Sequence, residues 1–208
     1  SVDSSDYMFI NPMIMDKKSD IIYMAAGNKL WRNNDITNIP YNNSHTKDDF
    51  GWDMLSDTLP NPNLIITCIT TSTFPANVVY LGTKNKKIFR IDNANVGDPA
   101  LIELTSPLVG SNSYVYDIAV NPNNANEVIV VYSNYSCYSL FHSTDGGQSW
   151  NKKLGGNNSS YYQYTSVEIT SGGVVYASIS SNCVDKGIWR SNDGESWTKI
   201  IDGNFPGV

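Results

Sequence analysis

The chain has 208 residues, a formal net charge of −6 and a pI near 4.7, which argues against nucleic acid, whose phosphates require a basic stripe. Hydrophobic residues make up 40% and charged residues only 16%, which suits a packed globular protein, and no apolar run approaches the roughly 18 residues of a membrane-spanning helix. Asn, Ser, Thr, Tyr and Gly are plentiful and long Ala/Leu/Glu/Lys stretches are absent, a balance that favours strands and turns over helices.

In chain order, strand-like runs come in groups of four. The first group is Phe9 to Met15, Ile21 to Met24, Leu30 to Arg32 and Trp52 to Leu55. The second is Ile66 to Thr70, Val78 to Leu81, Lys87 to Arg90 and Ala100 to Leu104. The third is Tyr116 to Val120, Val128 to Tyr132, Tyr138 to Phe141 and a short strand opened by Trp150. The fourth is Ser166 to Ile169, Val174 to Ala177, Gly187 to Trp189 and a strand opened by Trp197. Breakers such as Asn61-Pro62 and Asn121-Pro122 fall between the runs. Aligning the residue before the turn after each third run puts Arg32, Arg90, His142 and Arg190 in register, at spacings of 58, 52 and 48 residues. Nothing with a sustained helical period separates the runs, which excludes an α/β reading, and a sandwich would not repeat in fours. Four units of about fifty residues with four short strands each are the signature of propeller blades. The expected fold is therefore all-β, with four-stranded antiparallel blades at 7–58, 64–106, 114–155 and 162–202.

Two turns are plainly related. Ser143-Thr144-Asp145-Gly146-Gly147-Gln148-Ser149-Trp150 and Ser191-Asn192-Asp193-Gly194-Glu195-Ser196-Trp197 differ by one residue before the Trp. The Ser-x-Asp-x-Gly-x-x-Trp pattern resembles the Asp-box (BNR) repeat of sialidases, sortilin-type (VPS10) receptors and some endoglucanases. In the first two units it has decayed: Asn33-Asn34-Asp35 keeps the Asp before an insertion that runs to Gly51-Trp52, and Ile91-Asp92-Asn93 keeps only an Asp. The residue types suit a turn. The Asp carboxylate accepts backbone N–H bonds, Gly takes positive φ and the indole seals the hairpin. The resemblance implies that the box joins the third and fourth strands, away from the ligand-binding end, so that Ser143, Asp145, Gly147, Trp150, Ser191, Asp193 and Trp197 are structural. It also implies a ring of six or more blades, of which this chain supplies about half.

The candidate chemical groups are few. The three arginines suggest the carboxylate-binding triad of sialidases, and Phe89-Arg90-Ile91-Asp92 is similar to that family's arginine motif. They occupy one repeated position, however, and so should radiate around the ring instead of converging. Glycoside hydrolysis needs two carboxylates about 5–10 Å apart. Asp117 and Glu168, on first strands of adjacent units, are the nearest candidates, although Glu168 aligns with Ala119. Tyr114, Tyr116, Tyr161, Tyr162 and Tyr164 gather where the chain enters the first strands of the last two units, where exposed rings could stack on sugars; packing between blades is the competing role. Cys68 aligns with Ile118 as a small buried hydrophobe, and Cys137 and Cys183 fall between second and third strands of adjacent units, where a disulfide depends on Cα reach. His45 lies in the first-unit insertion and His142 replaces an Arg, so no metal site is expected. No phosphate loop, nucleophile triad or cofactor motif is present.

Four glycosylation-type triplets begin at Asn42, Asn134, Asn157 and Asn158. The chain starts at Ser1 without Met or a visible signal peptide, so a processed or excised piece of a longer protein is expected, with Asp202 to Val208 reading as a linker into a next blade. The function expected is a secreted or cell-surface module that binds glycan or an extracellular protein, with the remaining blades in the same or a partner chain and no catalytic centre or cofactor of its own. The alternatives are a fragment of a sialidase-like or xyloglucanase-like glycoside hydrolase, and an assembly factor similar to the photosystem assembly propellers.

Overall fold

A computed structural model describes residues 10–39, 50–55, 59–133, 139–152, 164–180 and 186–202. Among these described residues, sixteen strands form four separate four-stranded antiparallel sheets, each with its strands in chain order. The first sheet holds β1 (Met13–Asp16), β2 (Ile21–Ala26), β3 (Lys29–Asn33) and β4 (Trp52–Met54), with a 3-10 turn at Ile36–Asn38. The second holds β5 (Ile66–Thr73), β6 (Ala76–Thr83), β7 (Ile88–Ile91) and β8 (Leu101–Glu103). The third holds β9 (Tyr114–Asn121), β10 (Asn124–Ser133), β11 (Leu140–Ser143) and β12 (Asn151–Lys152). The fourth holds β13 (Tyr164–Ile169), β14 (Val175–Ile179), β15 (Gly187–Ser191) and β16 (Trp197–Asp202).

The first strands lie side by side, β1 against β5, β5 against β9 and β9 against β13. The sheets therefore radiate as consecutive propeller blades. Burial follows this order. In β14 buried and half-buried residues alternate, as in a sheet packed on one face. In β10 Val128 to Tyr132 are all buried, and in β6 Val78 to Thr83 are, because the middle blades are covered on both faces.

Three apolar cores fill the spaces between blades. Tyr23, Leu30, Leu81 and Phe89 belong to the core between the first and second blades. Tyr80, Val115, Val130 and Phe141 belong to the core between the second and third. Ala119, Val131, Val167 and Trp189 belong to the core between the third and fourth. The outer faces of the first and last blades differ in character. On the first, Met13, Met24, Trp31 and Met54 pair across all four strands, with Met13 62% and Met54 45% exposed. On the fourth, the outward-facing crossing row is Glu168, Tyr176, Arg190 and Thr198, beside a hollow of about 170 Å³ lined by Glu168, Tyr176, Ser178 and Ile188.

Polar links stitch neighbouring blades. Arg32 pairs across the sheet with Tyr23, Arg90 with Tyr80 and Arg190 with Tyr176, so one position recurs. From the first blade Arg32 donates from Nη1 to the Ala94 carbonyl and from Nη2 to the Gly97 carbonyl, both at 2.8 Å, in the second blade's third turn. From the second blade Arg90 donates to Asn126 Oδ1 in the third at 2.7 Å, and also to the Tyr80 hydroxyl at 3.0 Å. The arginines thus reach outward to successive neighbours and do not converge. Among the described residues Arg190 makes no such link.

The register corrects two alignments. Cys68 pairs with Gly82 as Asp117 pairs with Val131, so Cys68 is equivalent to Asp117 and not to Ile118. It is half-buried against the second core, and burial, reinforced by the Asp117 carboxylate, pushes its thiol well above the usual range. In the second blade Asn93, not Asp92, stands where Asp145 stands in the third, because Arg90 and His142 are equivalent. Asp92 instead accepts from Arg90 Nε at 2.8 Å.

Candidate functional site

Antiparallel order gives the blades two distinct ends. The turns joining first to second and third to fourth strands share one end, here the turn end; the second-to-third hairpins and the connections between blades share the other, the loop end.

At the turn end the carboxylates are engaged. Asp145 accepts from the Gln148 and Ser149 amides at 3.0 Å each, from Ser143 Oγ at 2.8 Å and from Ser149 Oγ at 2.5 Å. These donors, with the Ser149 hydroxyl foremost, hold its carboxyl down at about 2. The Ser143 hydroxyl itself accepts from the Gly147 amide at 2.8 Å. Gly147 has φ +89, and a Cβ there would stand 2.6 Å from Leu104 Cδ1, so conformation and space both require glycine. Trp150 packs on the second core and donates from Nε1 to the Thr105 carbonyl at 2.6 Å, tying the third blade to the second. The fourth blade repeats the device. Asp193 accepts from the Glu195 and Ser196 amides at 2.8 and 2.7 Å and from Ser191 Oγ at 3.0 Å, which lowers its carboxyl, the Ser196 amide most strongly. Trp197 packs on the third core. In the first blade Asn33 and Asp35 stand in for the Ser and Asp: the Asp35 amide donates to Asn33 Oδ1 at 2.8 Å, and Asp35 caps the 3-10 turn by accepting from the Thr37 amide at 3.2 Å.

The two first-strand carboxylates Asp117 and Glu168 serve different faces. Asp117 reaches across to the fourth blade, accepting from the Val167 amide and Ser166 Oγ at 2.9 Å each, while its other oxygen accepts from the Ile118 amide at 2.9 Å. It works as a clip between two first strands, like Thr67 Oγ1, which donates to the Val115 carbonyl at 2.5 Å one blade earlier. Glu168 is equivalent to Ala119, since Tyr176 and Ile129 pair with the equivalent Arg190 and His142. It lies on the outer face of the fourth blade. Partial burial raises its carboxyl and Asp117 adds to the rise, with Lys17 opposing.

At the loop end the tyrosines divide. Tyr114 and Tyr116 open β9 with ring centroids 5.8 Å apart and tilted by 35°, and Tyr116 is 40% exposed. Tyr164 differs from the sequence expectation: only 3% exposed, it is buried in the core between third and fourth blades, where a ring on the inward face of β13 fills space beside Ala119. Tyr161 and Tyr162 lie outside the described residues, as do Cys137, Cys183 and His45. His142 lies 3.3 Å from Glu127, Nε2 to Oε1, within its own blade.

Beside Tyr114 opens a cleft of about 460 Å³, lined by Lys84, Asn85, Lys86, Ser111, Asn112 and Ser113. It lies between the β6–β7 hairpin and the connection into β9. Its frame is fixed by backbone bonds: the Lys84 amide donates to the Ile65 carbonyl at 2.8 Å, and the Lys86 carbonyl accepts from the Tyr132 hydroxyl of the third blade at 3.0 Å. Sequence reasoning missed this cleft; the nearest signal was the run Lys84-Asn85-Lys86-Lys87 at a hairpin. Among the described residues no three His, Cys, Asp or Glu side chains gather closely enough to hold a metal ion, and no helix is long and apolar enough to cross a membrane.

Known proteins share the architecture. No protein-family model matches the sequence, and no curated protein matches it. Among solved structures, the GH74 xyloglucanase of Xanthomonas campestris is similar to 98% of this chain with a TM-score of 0.65 and 16% identity, over 32% of its own length. The GH74 enzyme of Niastella koreensis matches 89% of this chain with a TM-score of 0.59 and 17% identity, over 30% of its length. YCF48 from Cyanidioschyzon merolae matches 82% with a TM-score of 0.55 and 10% identity, over 48% of its length. The chain thus spans about a third of the two GH74 enzymes and about half of that YCF48. The shared feature is the fold: this chain is built of β-propeller blades.

Proposed function

We propose that the chain is a run of Asp-box blades of the sialidase- and sortilin-like kind, bounded near 7–58, 64–106, 114–155 and 162–202, within a secreted propeller that binds glycan or an extracellular protein at its loop end. The observation that carries this reading is the pair of the half-buried Tyr114 and the exposed Tyr116 beside a preformed cleft, since aromatic rings stack on sugar faces and anchor protein contacts. The engagement of Asp117 by three donors supports a structural role for that carboxylate and a module without its own catalytic pair. A glycan array is the test: binding that falls about tenfold or more in Tyr116→Ala, with the melting temperature unchanged, supports the reading. Binding that ignores Tyr116 sinks it.

The remaining blades, in the same or a partner chain, cover the two outer faces. What supports this is the Tyr176–Arg190 pair, which repeats the two pairs that dock on a following blade, and the apolar Met13–Met24–Trp31–Met54 row opposite it.

A second reading, part of a xyloglucanase-like glycoside hydrolase, is favoured by the likeness to the Xanthomonas enzyme along nearly the whole chain. It requires xyloglucan to be cleaved by the full-length protein, with loss of cleavage in Asp117→Asn or Glu168→Gln if this part supplies the carboxylates.

A further inference from the structure

We infer that the cleft between the β6–β7 hairpin and the connection into β9 is a subsite for an anionic sugar residue, recognised by Lys84, Lys86 and Ser113 beside the Tyr114 ring. This rests on the binding-module reading above and names the ligand class for it.

Three observations point the same way. The first is charge. In a chain of net charge −6 the cleft presents two ammonium groups and no carboxylate among its lining residues. The neighbouring Lys87 is neutralised by Glu103 at 2.8 Å, but Lys84 and Lys86 have no acidic partner among the described residues. The second is an unsatisfied group. Ser113 is 3% exposed and its hydroxyl has no hydrogen-bond partner, although its amide is fixed by the Gly110 carbonyl at 3.2 Å. A buried hydroxyl left unpaired costs stability, and a ligand hydroxyl or anionic oxygen entering the cleft would satisfy it. The third is composition. Asn85, Asn112 and Ser111 offer carboxamides and a hydroxyl, and the Tyr114 ring offers an apolar face.

Together these groups match a pyranose ring that carries a carboxylate or sulfate: cations for the charge, amides and hydroxyls for the ring oxygens, and a phenol face for the C–H side. The lysines suit either anion, because an ammonium is a point charge without the planar fork that selects a carboxylate. The hairpin that holds them is braced from the third blade through Tyr132, so the site is formed before the ligand arrives.

Calorimetry on the whole chain at low salt tests this with a galacturonate oligomer, a sulfated chondroitin tetrasaccharide, a neutral cello-oligosaccharide of the same length and an oligoglutamate peptide. The expected result is about tenfold tighter binding of one or both acidic sugars than of the neutral one, the sum of two exposed charge contacts, and a steep weakening with salt. Which acidic sugar binds distinguishes carboxylate from sulfate. Lys84→Gln with Lys86→Gln should erase that preference, and Ser113→Ala should weaken acidic and neutral sugars together. A melting curve equal to the parent's confirms the fold of each variant. Equal affinity for acidic and neutral sugars overturns this subsite while leaving the binding module standing. Oligoglutamate binding as tightly as the sugars overturns the saccharide assignment. No binding of any of these sugars overturns the subsite and, with it, the glycan arm of the binding-module reading, which the glycan array then tests by itself.

Discussion

The repeated Tyr–Arg pair gives a graded mutation series at one structural position. Replacing each arginine by Met keeps an unbranched apolar stem and removes only the guanidinium. In the first blade Arg32 is 5% exposed and makes two 2.8 Å bonds to main-chain carbonyls of the second. Bonds to charged groups are worth about 1.5–3 kcal/mol each, and part of that replaces hydration the buried guanidinium has lost, so Arg32→Met should cost about 3 kcal/mol. At about 2–4 °C per kcal/mol for a domain of this size, the melting temperature should fall by about 6–12 °C. Arg90 is more exposed and binds Asn126 through a single bond across the blade boundary, so Arg90→Met should cost about 1–2 kcal/mol. Arg190, on the outer face of the fourth blade, has no such partner among the described residues, and Arg190→Met should stay within about 0.5 kcal/mol. Urea unfolding followed by tryptophan fluorescence ranks the three. Equal costs at all three positions would refute the reasoning, because the series depends on which arginine has a blade to hold.

Gly82→Ala should destabilise by about 1–3 kcal/mol in the same assay, since its Cβ would lie 2.3 Å from Val115 Cγ1 and 2.5 Å from Cys68 Sγ where the second and third blades meet. The depressed carboxyl of Asp145 contributes stability that is present above its unfolded value near 4 and is lost as pH falls through about 2; Asp145→Asn should flatten that acid limb in urea midpoints measured between pH 2 and 5. Glu168 has the opposite sign: a raised carboxyl disfavours the folded state once ionised, so Glu168→Gln should leave stability at neutral pH equal or higher, with the difference vanishing in acid.

The sheets were legible because strand sequence carries its own period and punctuation. The outer strands of each blade were found within a few residues, and the arginine register survives in the strand pairing. What failed did so for local reasons. Aligning the first-strand runs at Ile66 and Tyr116 misplaced Cys68 by one, because Ile66 stands opposite Thr83 as Val115, not Tyr116, stands opposite Tyr132, and the bulge that follows is common to both strands. Asp92 attracted attention as an acid near the turn, but the residue in the Asp145 position is Asn93, which holds φ +53 as Asn tolerates. Tyr164 looked like Tyr114 because both open first strands, yet only a neighbouring sheet decides which face of a strand is covered. The cleft was invisible for a related reason: Lys84 and Ser113 belong to separate blades and meet only when the blades pack.

The contrast between the two ends of the blades locates function better than any motif. The turn end has the residues that look chemical, and there Asp145, Asp193 and Asp35 each accept from backbone amides of their own turns. A carboxylate so engaged must break several bonds before it can take a proton or a ligand, and the lowered carboxyl of Asp145 measures that reluctance. The loop end has no comparable motif, but it leaves groups unsatisfied: two ammonium groups without acids, a buried hydroxyl without a partner and an exposed tyrosine. Folding needs the first set and gains nothing from the second. Groups that a fold leaves unpaired are the ones free to pair with something else, and Lys84, Lys86 and the Ser113 hydroxyl line one cleft at the loop end.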